Sequence, residues 1–254
     1  MMRMNAVKRL RIWYFACALL FAGCAGGIPS IPSSPDALLA KAKDHFDRGK
    51  YYQAQELYKA FLARYPGHSQ SDEAQFFLAE SHFEDKEYPL AAVEYRVLTS
   101  NYGYSDYVDD AFYKIALCSA REAPRYDLDQ TKSFEALSLF EQFLRTFPSS
   151  SLVDDANREV NEIYKKLAHK DFENGYFYYR LKRFGPASIY FKKVIDKYPG
   201  SEHWVKAMFF EAKILIAKGE TASARELLDR VGQYPGDIDV KVEARQLLDS
   251  LPEG

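Results

Sequence analysis

The chain has little with which to staple itself or to attract polyanions. Cysteine occurs three times in 254 residues, at 17, 24 and 118, and two of the three fall in the N-terminal segment. The remainder is therefore not built on disulfides. Cys118, in Ile115-Ala116-Leu117-Cys118, reads as a small buried hydrophobe. No excess of positive charge is present: residues 1–23 hold four of the 34 basic and none of the 36 acidic residues. The rest carries six more acidic than basic groups, which excludes non-specific nucleic-acid binding through phosphate neutralisation. No glycine-rich phosphate loop occurs, since the one Gly-Gly pair is Gly26-Gly27. The apolar run from Ile12 to Ala22 falls short of the about 20 residues that span a bilayer.

That run is preceded by Arg3, Lys8, Arg9 and Arg11 and followed by Gly23-Cys24, the order of an export signal. Leu20-Phe21-Ala22-Gly23-Cys24 resembles the bacterial lipobox, with Phe21 in a place usually held by an aliphatic residue. The resemblance implies acylation of Cys24, and Ala25 after it, rather than Asp, implies sorting to the outer membrane. The alternative is an ordinary export signal with a chance cysteine. Residues 24–35, rich in Gly, Pro and Ser, read as a flexible tether. A single acyl chain holds a protein only weakly, so several are needed for stable anchoring.

What is present is a repeat. Taking Ala54 as reference, the pattern returns at Ala91, Ala136, Ala187 and Ala224, at intervals of 37, 45, 51 and 37 residues. Four residues after each stand Tyr58, Tyr95, Phe140, Phe191 and Leu228; seven after, Phe61, Leu98, Phe143, Val194 and Val231. These spacings put both on one helix face. Three before the reference are Tyr51, Tyr88 and Phe184, with Ser133 and Thr221 in the third and fifth repeats. Pro66, Gly103, Pro148 and Pro199 stand twelve after, and Pro235 eleven after, where they end the helix. Small residues stand twelve before the reference at Ala42, Ala79, Gly175 and Ala212, and at Ala116 once the longer interval of the third repeat is allowed for. Small residues facing each other across two helices let the backbones approach, while rings fill the flanks.

The spacing thus predicts five helix pairs. Ser69, Ser71, Ser149 to Ser151 and Ser201 are placed to cap the first helix of the next repeat. The extra residues of the third repeat predict a long loop around Arg121 to Thr131. Those of the fourth, in 156–183, predict a first helix about four turns longer than its siblings. Together this is an all-α superhelical solenoid of tetratricopeptide repeats. Its parts are an export signal at 1–23, a tether at 24–35, repeats 1–3 at 36–148 and repeats 4–5 at 149–252.

Catalysis finds no constellation here. His45, His68, His82, His169 and His203 are scattered, with no His-Glu-x-x-His and no zinc-ligand spacing. Asp106, Asp109, Asp110, Asp154 and Asp155 fall at helix starts, where the helix dipole favours negative charge. We therefore expect no enzyme activity, no cofactor and no metal. The expected working surface is a groove lined by the first helices: Leu39, Lys43 and Phe46; Phe76, Glu80 and Phe83; Tyr113, Leu117 and Arg121. Rings alternating with charges suit an extended peptide, although several of these rings read equally well as inter-repeat core.

A lipobox, a proline-rich tether and five such repeats together resemble the repeat lipoproteins of the bacterial outer-membrane β-barrel assembly machinery. Asp129-Gln130-Thr131, Ala136-Leu137, Phe140, Phe143-Leu144 and Phe147-Pro148 are similar to that family's third repeat, and Tyr178-Tyr179 before Phe184 to its fourth. The resemblance implies a lipid-anchored periplasmic scaffold. Its implied partners are the periplasmic domains of the core barrel subunit, other assembly lipoproteins and unfolded outer-membrane proteins. It also implies that the N-terminal repeats take the substrate and the C-terminal repeats the core subunit. The residues themselves leave open an adaptor of another envelope system, a pilus-secretin pilotin or an envelope coordination factor.

Overall fold

A computed structural model describes residues 32–236 and 238–252, and among the described residues every regular element is a helix. The export signal, Cys24 and most of the tether lie outside the described residues. The chain divides into two compact units, one through Pro66 and one from Gly67 onward.

In the first unit α1 (Pro35–Asp47) and α2 (Tyr51–Arg64) form an antiparallel hairpin. Helix α1 starts where the sequence supplies both a cap and a fixed φ: Ser34 Oγ accepts the amide of Ala37, and Pro35 follows it. The last residues before it are held down, since Tyr65 Oη donates to the Ser33 carbonyl at 2.6 Å and Arg64 to that of Pro32 at 3.4 Å.

The second unit runs through α3 (Ser71–Glu84), α4 (Tyr88–Asn101), α5 (Val108–Glu122), α6 (Thr131–Thr146), α7 (Val153–Arg180), α8 (Phe184–Lys197), α9 (Glu202–Lys218), α10 (Thr221–Gln233) and α11 (Val240–Ser250). Each helix packs on the next. Alternate helices pair as the spacing predicts, giving tetratricopeptide-type hairpins. Helix α11 was not predicted. It buries Val240 and Ala244, with Ile238, against the last pair and so closes the apolar end of the array.

The reference positions are core in every repeat. All five alanines, and Ala42, Ala79, Ala116 and Ala212 facing them, have no exposed surface, and the residues four and seven after each reference are at most 2% exposed. Gly175 completes the set for a steric reason: a Cβ there would lie 2.8 Å from the Phe191 ring. Five residues before the reference the chain turns with positive φ, at Gly49 (69°), Lys86 (63°), Lys182 (56°) and Gly219 (82°). Glycine takes this conformation at no steric cost, and the two lysines take it under strain. In the third repeat the tight turn is replaced by the loop 123–130, as its longer interval requires.

The serine caps hold in one case. Ser201 Oγ accepts the Trp204 amide at 3.1 Å. Helices α3, α5 and α7 are instead preceded by Gln70, Tyr107 and Leu152, none of which makes a side-chain cap. At two joints a serine reaches back one repeat: Ser105 donates to Asp72 and Ser150 to Asp109, both at 2.7 Å. The acidic first turns thus bind joint hydroxyls, which ties successive repeats together.

Candidate peptide-binding surface

In the first unit, α1 presents Lys43 to solvent, buries Leu39 and leaves Phe46 half-buried against Tyr51, with ring centroids 5.6 Å apart. Burial, and then Lys50, lowers the pKa of the neighbouring His45.

In the second unit the predicted residues separate into packing and surface. Phe76 is buried, stacked on Tyr107 with centroids 4.6 Å apart. Tyr113 is buried against Phe140 and Phe143, and Leu117 is buried in the same cluster. Glu80 is buried too, and its carboxylate is already engaged: Tyr95 Oη donates to it, and Lys114 Nζ lies 2.8 Å away. Burial, and then Glu80, pushes the Tyr95 phenol far above its ordinary pKa, so it remains a donor. Phe83 stays half-buried and accessible, with Lys114 Nζ 4.4 Å above its ring. Arg121 is exposed and forms two hydrogen bonds to Glu159, at 2.9 and 3.2 Å, which raise its pKa. Cys118 is 1% exposed, and burial pushes its thiol up to about 12, which keeps it unreactive.

The accessible groups the structure brings together are therefore two pairs, Phe83 with Lys114 and Arg121 with Glu159. Lys114 and Glu159 escaped the sequence reading because each acquires its role from a residue 34 or 38 positions away.

Beyond Arg121 the surface opens into a recess of about 730 Å³ lined by Arg121, Tyr126, Glu159, Lys166, His169 and His203, among others. One wall is a stack of planar rings: Tyr126 on His169 at 3.6 Å and His169 on His203 at 4.3 Å. Burial, and then the neighbouring His169, holds His203 down to about 4. Tyr126 comes from the long loop of the third repeat and His169 from the added turns of α7, so the two departures from the repeat period build this wall together. Gln130 shapes the loop, donating to the Arg125 and Leu128 carbonyls at 2.9 and 3.1 Å while accepting from Ser133 at 2.8 Å. That last bond also explains why Ser133 replaces the aromatic found three before the reference in the first, second and fourth repeats.

Helix pairs crossing at small residues, with accessible rings and charges on the first helices, define a tetratricopeptide-repeat protein. Comparison with known proteins goes further. The family model described as an outer membrane lipoprotein, YfiO, matches residues 32–229, and the chain belongs to that family. Three relatives each bear the name outer membrane protein assembly factor BamD. The one from Haemophilus influenzae is 23% identical over 95% of this chain and 99% of its own length. That from Rickettsia prowazekii is 25% identical over 74% and 76%, and that from Vibrio cholerae 24% over 74% and 82%. Among solved structures, a tetratricopeptide-repeat protein from Bacteroides fragilis aligns over 86% of this chain and 97% of its own at 14% identity, with a TM-score of 0.46. The TPR2AB domain of yeast Sti1 aligns over 85% and 97% at 15% identity, with a TM-score of 0.40.

Proposed function

We propose that this chain is a non-catalytic scaffold of the outer-membrane β-barrel assembly machinery, anchored at the periplasmic face through acylated Cys24. The observation that carries the reading is the family match across 32–229, together with a BamD relative aligned over nearly the whole chain. The scaffold binds the core barrel subunit and other assembly lipoproteins, and it engages unfolded outer-membrane proteins. No bond is made or broken. The N-terminal repeats offer rings and charges to substrate segments, the first unit through Lys43 and Phe46 and, separately, the second unit through Phe83 and Arg121, and the last two repeats dock the core subunit.

Photoreactive residues placed at 46, 83 and 121, compared with sites at 213 and 226, test this division. Capture of nascent barrel chains is expected from the first set and of the core subunit from the second. Identical partners from both sets would sink the division, and recovery of no barrel-assembly protein from either would sink the function.

A further inference from the structure

Three positions on α5 and on α9 face the preceding repeat: one before, two after and three after the small residue at the crossing. In the third repeat these are Ile115, Cys118 and Ser119, 6%, 1% and 3% exposed, and α4 supplies the Ala91, Ala92 and Tyr95 that pack with Ile115 and Cys118. In the fifth they are Glu211, Ile214 and Leu215, again at most 6% exposed. Here α8 supplies the cover, through Ser188 donating to Glu211 at 2.6 Å and Phe191 beside Ile214.

The fourth repeat breaks the rule. Its three positions are Asn174, Phe177 and Tyr178, and Phe177 is 60% exposed, with Leu181 one turn on at 53%. The cause is the length of α7. The loop 123–130 follows the helix outward through Tyr126 on His169 and the Leu128 carbonyl on Lys170 Nζ. From Asp171 onward, its ring contacts and charged hydrogen bonds run to α8 and beyond, as in Asp171 to Lys193 and Tyr178 to Tyr190. Among the described residues, the overhanging end therefore keeps a repeat-stacking face with no preceding helix on it. A recess of about 410 Å³ marks the place, lined by Glu173, Tyr176, Phe177, Arg180 and Leu181.

We infer that this face docks an amphipathic helix of a separate protein, which takes the place a preceding repeat's second helix holds on α5 and α9. A helix is the occupant because the bare surface is itself a helix ridge, and its equivalents in the same molecule receive helices. The stripe from Asn174 to Leu181 is about 12 Å long at 1.5 Å per residue, which matches two to three turns of a partner. Phe177 and Leu181 call for apolar residues at three- and four-residue spacing, and Glu173 and Arg180 at the two ends for a polar rim. The face is bare whatever the first three repeats bind, so its occupancy stands apart from substrate capture by those repeats.

The test places a photoreactive residue at 177 or 181 of the full-length chain in its native envelope and maps the adduct to residues. Adducts three or four residues apart in one other polypeptide are expected. A Phe177→Asp change should lower the yield at 181 at least fivefold while leaving the thermal melt in place, since Phe177 is already exposed. Adducts along an extended run, on a second copy of this chain, on lipid alone or on nothing would overturn the inference, as would a yield indifferent to Phe177→Asp.

Discussion

The second helices and the first helices of the repeats follow different rules. The second helices, α2, α4, α6, α8 and α10, are 13 to 16 residues long and present the same buried stripe five times. The first helices, α1, α3, α5, α7 and α9, run from 13 to 28 residues. They carry the accessible ring of Phe83 and the ion pair of Arg121 with Glu159. In the second unit a second helix is enclosed by its own pair and the next helix, so its positions are fixed by packing density. A first helix has one face free of that requirement, and variation collects there.

The sharpest way to break this comparison is Phe191→Ala. The ring is fully buried between Gly175, Phe172 and Phe210, and its removal should cost about 3–5 kcal/mol in urea unfolding. Phe83→Ala, on a first helix and half-exposed, should cost clearly less. Equal losses would erase the distinction.

Next in size is Gly175→Ala. Alanine favours a helix, yet its Cβ would meet two Phe191 ring carbons at 2.8 and 2.9 Å. Overpacking of this kind costs about 1–3 kcal/mol. A neutral or raised melting temperature would show that α7 and α8 move apart freely, against a rigid second-helix scaffold.

The smallest effect concerns acid. Burial, and then His169, holds His203 down to about 4 in the folded chain, below the about 6.5 of an exposed imidazole. Because the folded-state pKa is depressed, the unfolded chain takes up the proton first. Stability is complete above about pH 6.5 and is lost as the pH falls toward 4. The ring is only partly buried, so screening limits the loss to about 1 kcal/mol. His203→Gln should flatten the melting temperature between pH 7 and 4.5. An unchanged slope would place the acid-sensitive group elsewhere.

Much of the fold was legible because burial in a repeat is periodic. A ring at Tyr95 and another at Phe140 answer to the same spacing, and Gly175 declared its close approach by replacing alanine. The groove was legible only in part. Phe76 and Tyr113 share the face and the residue type of Phe83, yet Tyr107 closes over Phe76, and Phe140 with Phe143 closes over Tyr113. Such cover comes from the next helix or joint, and spacing along a single helix does not carry it. Glu80 offered a charge for a ligand until Tyr95 and Lys114 were seen to hold it.

The sequence by itself determined the pairing of helices, their order, the long α7 and the loop before α6, because each follows from local periodicity and from where proline, glycine and alanine stand. Only the tertiary structure decided that the loop and the added turns meet, stacking Tyr126, His169 and His203, and that α7 outruns its cover to leave Phe177 bare. Both depend on where one repeat's end lies against the next repeat's surface, a distance set by packing between helices and by no residue alone.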